Sequence, residues 1–487
     1  MRKRFESQLV LGQLPIEETP VPLKSRGSLT PLVAALKEIF IVPEWNERVF
    51  EILENKIMSG KKKTGRLGMN LWQIFVLAQV RLCLNISYDD LHDLANYHTM
   101  IRQLMGVETD FGYKKVQFEY QNILDNVSLL DDATVKELNN IIVEFGHSVF
   151  KKKEAELLRL KTDSFVVKSN VHFPTDYNLL WDCARKSLDA VKAFLKKYED
   201  IPQWRKISNW HTELKNMMRT LSRVSISGGA GKEQRIKVST KKYLNKACAL
   251  QRKLQTSKSE LPSNDMIDMA LHLELQHYMD LLDKHIDLVD RRLLKGEIIP
   301  HNEKMFSIFE PYTEWITKGK RHPNVELGKN TAITTDQYHL ILDYHVMDHE
   351  SDPDIITPLF ERMITKHLVS GWSFDRGFYS KANKQKLNES IANVIMPKKG
   401  KKNITEIAEE NQKVFKRFKN KHSAIESNIN ELEHHGLDRC PDRGYEHFKR
   451  YIGLAVCAYN LKRIGKALLE QKRAELNRQN QAEKIAA

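Results

Sequence analysis

The stretch Lys161-Thr162-Asp163-Ser164-Phe165-Val166-Val167-Lys168, continuing to Asp176, decides how the whole chain is read. Asp163 opens a short run of aromatic and β-branched residues, the composition of a buried strand. A carboxylate carried on such a strand is costly unless a cation meets it, and the usual answers are an arginine partner or a divalent metal. Pro174 is expected to close the strand, and Asp176 to cap an apolar helix starting near Leu179 and Leu180.

Two later stretches raise the same question. Ser370-Gly371-Trp372-Ser373-Phe374-Asp375-Arg376-Gly377 runs a short strand into Asp375 and turns at Gly377, with Ser380 as the N-cap of a following helix. Further on, Val414, Phe418, Ile425, Ile429 and Leu432 recur at helical spacing, and Glu426 sits at the edge of that stripe. Two strand-borne aspartates and one helix-borne glutamate are a set that can converge on a pair of divalent cations.

These residues carry a family resemblance. Thr162-Asp163-Ser164 with Phe173-Pro174-Thr175-Asp176, then Phe374 to Ser380, then Ala424-Ile425-Glu426 with Gly436-Leu437-Asp438-Arg439, resemble in order the three acidic signatures of DDE transposases of bacterial insertion sequences. The likeness is to the ISNCY-type group, and it runs from Met1 to the helix near Lys466. It implies an α+β, mostly helical chain. An RNase H-like mixed-sheet catalytic core would carry a large helical insertion, behind an N-terminal helical DNA-binding region.

By the same resemblance, Asp163, Asp375 and Glu426 are the catalytic residues and the ligands of two Mg²⁺ ions, with Mn²⁺ as a possible substitute. Hard oxygen ligands suit Mg²⁺, and two such ions serve both ends of an in-line phosphoryl displacement. The third acid leaves alternatives open, since Glu431 and Glu433 follow within two turns. The chain also departs from the tyrosine-arginine-glutamate-lysine pattern of some relatives. Lys419 and His422 stand where tyrosine and arginine would precede Glu426, and Glu433 stands where lysine would follow.

Composition bounds the partners. The chain has 487 residues, a hydrophobic fraction of 41% and a charged fraction of 29%, which fits several globular domains. A net charge of +14 points to a polyanion, with nucleic acid first. The five cysteines are scattered without a C-x-x-C pair, which argues against structural zinc and for a reducing compartment. No apolar run is long enough for a membrane span, and the first residues do not read as a signal peptide. The expected setting is the cytoplasm of a prokaryote, on the nucleoid.

In order, residues 1–60 read as an arm and short helices, and 61–150 as a helical, helix-turn-helix-like region for DNA binding or dimerisation. The catalytic domain is expected over 151–470, with the insertion at about 180–300, followed by a flexible tail at 471–487. Phe306 to Phe309 reads as a further strand. Candidate phosphate contacts are Lys62, Lys63 and Arg66 in a basic loop, and Arg235, Lys237, Lys241 and Lys242 after a glycine-rich turn. That turn, Ser227 to Lys232, fails as a phosphate loop because Ile226 and Glu233 stand where the pattern needs glycine and a hydroxyl residue.

A second basic set is Arg376, Lys398, Lys399, Lys401, Lys402, Lys416 and Arg417. From Arg376 to Lys421 there are thirteen Lys and Arg against four Asp and Glu. The histidines, among them His277, His285, His345 and His349, read as core or surface residues. The leading reading is a transposase acting as at least a homodimer on double-stranded DNA, both inverted-repeat ends and target. A metal-dependent nuclease that does not join, or a DNA-binding protein with structural carboxylates, is the alternative.

Overall fold

A computed structural model describes residues 2–6, 8, 9, 12–60, 68–109, 116–198, 201, 204–317 and 324–486. Two compact units divide the chain: residues 1–170 with 316–487, and residues 171–315.

The first unit begins with helices α1 (Leu29–Ile41), α2 (Pro43–Ile57), α3 (Leu71–Leu84), α4 (Tyr88–Tyr97), α5 (Thr99–Leu104), α6 (Tyr120–Val127) and α7 (Asp132–Val149). Their starts follow local chemistry. Asn70 and Gln73 form a capping box at α3, Ser87 and Asp90 another at α4, and Asp131 caps α7 through the Thr134 amide. α3 is apolar on nearly every side and is correspondingly buried from Leu71 to Cys83.

Strand β1 (Leu158–Ser169) then leads out of this unit. The second unit holds the long helices α8 (Asp176–Lys197), α9 (Ile207–Ile226), α10 (Lys232–Lys258) and α11 (Met266–Val289). They bury Leu188, Val191, Phe194, Leu221, Tyr243, Leu250 and Leu282 against one another. Thr175, not Asp176, caps α8, its hydroxyl accepting from the Asn178 amide. Phe306 to Phe309 is not a strand. The Ser307 hydroxyl accepts from the Phe309 and Glu310 amides at 3.1 and 3.0 Å, a side-chain turn that competes with an extended ladder.

The chain continues through β2 (Glu314–Thr317), β3 (Val325–Thr335), β4 (Ile341–Val346), α12 (Ile356–Lys366), β5 (Val369–Phe374), α13 (Lys381–Asn388) and β6 (Asn393–Ile395). It ends with α14 (Ile404–Asn411), α15 (Lys413–His422), α16 (Ala424–Leu432), β7 (Arg439–Cys440) and α17 (Tyr445–Ala486). Within the stretch expected as a flexible tail, α17 continues to Ala486, exposed over Gln471–Glu483.

In the first unit's sheet, β3 lies antiparallel between β4 and β1, and β5 lies parallel between β1 and β6. Three antiparallel strands followed by two parallel ones make a mixed sheet consistent with an RNase H-like core. The β3–β4 turn is pinned by Asp336, which accepts from the Tyr338 and Leu340 amides and meets His147 of α7 at 2.7 Å. Gly465 lets α17 run against α1, because a Cβ there would collide with the Pro31 carbonyl.

A buried ionic knot joins α3 to α17. Asp442 meets Arg81 at 2.6 Å and Arg450 at 3.4 Å, all nearly inaccessible, and the Arg81 guanidinium lies 3.9 Å from the Tyr88 ring centroid. Removing Asp442 strands two buried guanidinium groups, whereas the Lys386–Glu361 pair at 3.0 Å is largely exposed. Asp442→Ala is therefore expected to cost about 3 kcal/mol in urea unfolding, and Glu361→Ala under about 1 kcal/mol.

Candidate active site

The placement of Asp163 begins on the opposite face of β1. Thr162 is buried there, sharing a 2.8 Å hydrogen bond with Thr334 of β3 and accepting from Trp372 Nε1 of β5 at 2.8 Å. Because side chains alternate along a strand, Arg159, Lys161 and Asp163 share the other face. Lys161 is in register with Ser373, so Asp375, two residues beyond Ser373 and just past the end of β5, comes to lie beside Asp163. The turn after Asp375 is held by Phe378, which is buried with its ring 5.7 Å from that of Phe374. Ser380 caps the next helix, as its position in the sequence implies.

Electrostatics report the convergence. Burial pushes the Asp163 carboxyl up to about 7, against a hydrogen bond from the Ser164 amide, and the charges of Asp375, Asp352 and Glu426 add to the rise. Asp163, Asp375 and Glu426 have no ion-pair partner among the described residues. Oxygen donors gathered around an acid whose charge is uncompensated fit a divalent cation.

Glu426 lies exposed near the start of α16. Glu431, the nearer alternative, is engaged elsewhere, with Lys462 at 3.1 Å and Lys466 at 3.3 Å. Burial alone would raise its pKa, but these two ammonium groups bring it below the ordinary range. His422 bonds through Nδ1 to the Ser373 hydroxyl at 3.0 Å. Burial holds it near 4 despite the charge of Asp375, so it stays neutral.

Asp352 is the residue that sequence reasoning missed. It sits in the Ser351-Asp352-Pro353-Asp354 turn before α12, where an acid reads as ordinary turn chemistry. Its carboxylate accepts from the Ser164 hydroxyl at 2.7 Å, and a Cβ on Gly377 would come within 2.5 Å of its other oxygen. It therefore braces both the strand of Asp163 and the turn of Asp375.

The expected DNA contacts fare unevenly. Lys62, Lys63 and Arg66 lie outside the described residues. Arg235 folds back onto the Ala230 and Gly228 carbonyls at 2.6 and 2.9 Å, while Lys237, Lys241 and Lys242 are exposed on α10. Lys398 and Lys402 are matched by Glu406 and Glu410 at 2.8 and 2.6 Å, so α14 neutralises them locally. Arg376, Lys399, Lys401, Lys416 and Arg417 are exposed. A cavity of about 530 Å³ in the helical unit is walled by Phe173, Phe306 and Trp315, and none of the four acids lines it.

Residues 296–461 match the family model of the transposase DDE domain. That match supports a DDE transposase family. It spans Asp352, Asp375 and Glu426 and stops short of Asp163. Searches of curated proteins and of solved structures gave no match. Among the described residues, no helix is long and apolar enough to cross a membrane.

The raised Asp163 pKa has a stability consequence. The folded state prefers the protonated acid, so its contribution is full below the ordinary value near 3.8 and is lost as pH rises through about 7. Without divalent ions, thermal melting of the wild type is expected to lose about 1–3 kcal/mol of stability between pH 4 and 8, allowing for partial solvent screening. Asp163→Asn should abolish most of that dependence. At pH 8, Mg²⁺ or Mn²⁺ should raise the wild-type melting temperature and leave that of Asp163→Asn nearly unchanged.

Proposed function

We propose that the chain is a transposase of an insertion sequence, which binds the terminal inverted repeats, cleaves the DNA ends and joins them to target DNA by two-metal phosphoryl transfer. The observation that carries this reading is the gathering of Asp375, Asp352 and Glu426 around Asp163 with no cation among the described residues paired to Asp163, Asp375 or Glu426, in a chain whose residues 296–461 match the DDE domain. Asp163, Asp375 and Glu426 would hold two Mg²⁺, with Mn²⁺ able to substitute. Such ions activate the attacking oxygen and stabilise the leaving one.

The protein's own part is positioning. Asp163 is fixed by a strand paired on both sides, Asp375 by the aromatic turn behind it, and Glu426 by the buried Ile425 and Leu432 of α16. Neutral His422 adds no cation to compete for Asp375. Bringing two element ends together calls for at least two copies on the DNA, and the net charge of +14 favours that polyanion.

The test is a cleavage and joining assay with Mg²⁺ on duplexes carrying the element's ends. Wild type should nick and join; Asp163→Asn, Asp375→Asn and Glu426→Gln should bind the same duplex yet lose at least about 100-fold in both steps. Cleavage without joining would reduce the reading to a nuclease. Binding alone by the wild type would make the carboxylates structural.

A further inference from the structure

Beside the acids, on the same face of the sheet, lies a cavity of about 390 Å³ with the opposite charge. Arg159 and Lys161 of β1 and Arg417 and Lys421 of α15 line it, and no Asp or Glu does. Ser373, Ser423 and Ser427 line it too, together with the neutral polar side chains of Gln337, His339 and Asn420.

The four cations have no ion pair and no side-chain hydrogen bond to an acid among the described residues. Their neighbours behave differently. Lys384, Lys386, Lys398 and Lys402 each have a carboxylate within 2.6–3.0 Å, so acids are at hand and are spent elsewhere. Cations held around one cavity without a counter-charge repel, and an anion entering it relieves that repulsion.

The cavity also stands at a defined place. Lys161 precedes Asp163 by two residues on β1, Ser373 precedes Asp375 by two on the β5 side, and Ala424 precedes Glu426 by two on α16. Two residues of strand span about 7 Å, the scale of one nucleotide along a backbone. The occupant that fits is an anionic group carried by a chain that also reaches the acids.

We propose that this basic cavity seats a phosphodiester of the DNA strand, adjacent to the phosphate held at Asp163, Asp375 and Glu426. The inference rests on the DNA-processing reading above and adds a contact site to it. Arg159, Lys161 and Lys421 become DNA-contacting residues, joined by Arg417. In the cut strand they fix the register, so that one phosphate and no other lies at the acids.

The experiment is fluorescence anisotropy of the full-length protein with a fluorescein-labelled 30-base-pair duplex between 50 and 200 mM salt. Variants are Lys161→Gln, Lys421→Gln and the double Arg159→Gln/Arg417→Gln, each checked by thermal melting. Lys421 is exposed, so Lys421→Gln reports even where Lys161→Gln or the double variant fails to fold. Each lost contact should weaken binding about 3- to 10-fold at low salt and lower the log–log salt slope by about 1.

Wild-type affinity and slope in every folded variant would overturn the proposal, as would a wild type that binds no duplex. A slope that stays unchanged, with inorganic phosphate raising the melting temperature of wild type but not of Lys421→Gln, would replace DNA by a soluble phosphate as the occupant. Cleavage is not read in this assay. A protein that binds with the expected slopes yet cuts nothing thus removes the transposase reading and leaves the cavity assigned.

Discussion

Thr162 decides which way β1 faces. Its hydroxyl is buried between Thr334 and Trp372 and bonded to both at 2.8 Å. A slip of one residue would put that hydroxyl on the wrong face and bury Lys161 or Asp163 in its stead. The cost of orphaning buried polar groups therefore locks the register, and the register sets Asp163 opposite Ile333 and beside the end of β5. The acids, the basic cavity and the brace from Asp352 all depend on that facing.

The same strand face carries both signs of charge. Arg159 and Lys161 come first and Asp163 follows, with Asp375 adding a second acid just past the end of β5. A protein selected for stability alone would let these charges pair. Here other carboxylates in the region, such as Glu406, Glu409 and Glu410, are bound to their own lysines, leaving two uncompensated fields of opposite sign side by side. A phosphate chain bridged by divalent cations, the ligand proposed above, would satisfy both at once. The rigidity behind the site is supplied by α17, α7 and α3, through the Asp442 knot and the His147–Asp336 contact.

Much of this was legible in the residues. The β-branched run after Asp163, the turn chemistry of Gly377 and Ser380, and the apolar stripe through Ile425 and Leu432 are local signals, and the elements they predict are β1, the turn after β5, and α16. Asp352 was not legible, because an acid before a proline in a turn looks the same whether or not it reaches the strand of Asp163. Nor was the fate of the lysines. Lys398 and Lys421 are equally basic in sequence, yet one meets Glu406 and the other lines the cavity. The cap of α8 is one residue earlier, at Thr175, because the Asp176 carboxylate turns instead to Arg292 at 2.6 Å.

By itself the sequence determined which segments bury a face, and hence the elements that carry Asp163, Asp375 and Glu426, because periodicity records burial along a single element. Only the tertiary structure decided which charges are compensated and which are left facing one another. Pairing depends on distances between elements far apart in the chain, and the field at Asp163 is the sum of groups from β1, the β5 turn, the Asp352 turn and α16. No local pattern contains that sum, because electrostatic energy falls with separation in space and takes no account of separation in sequence.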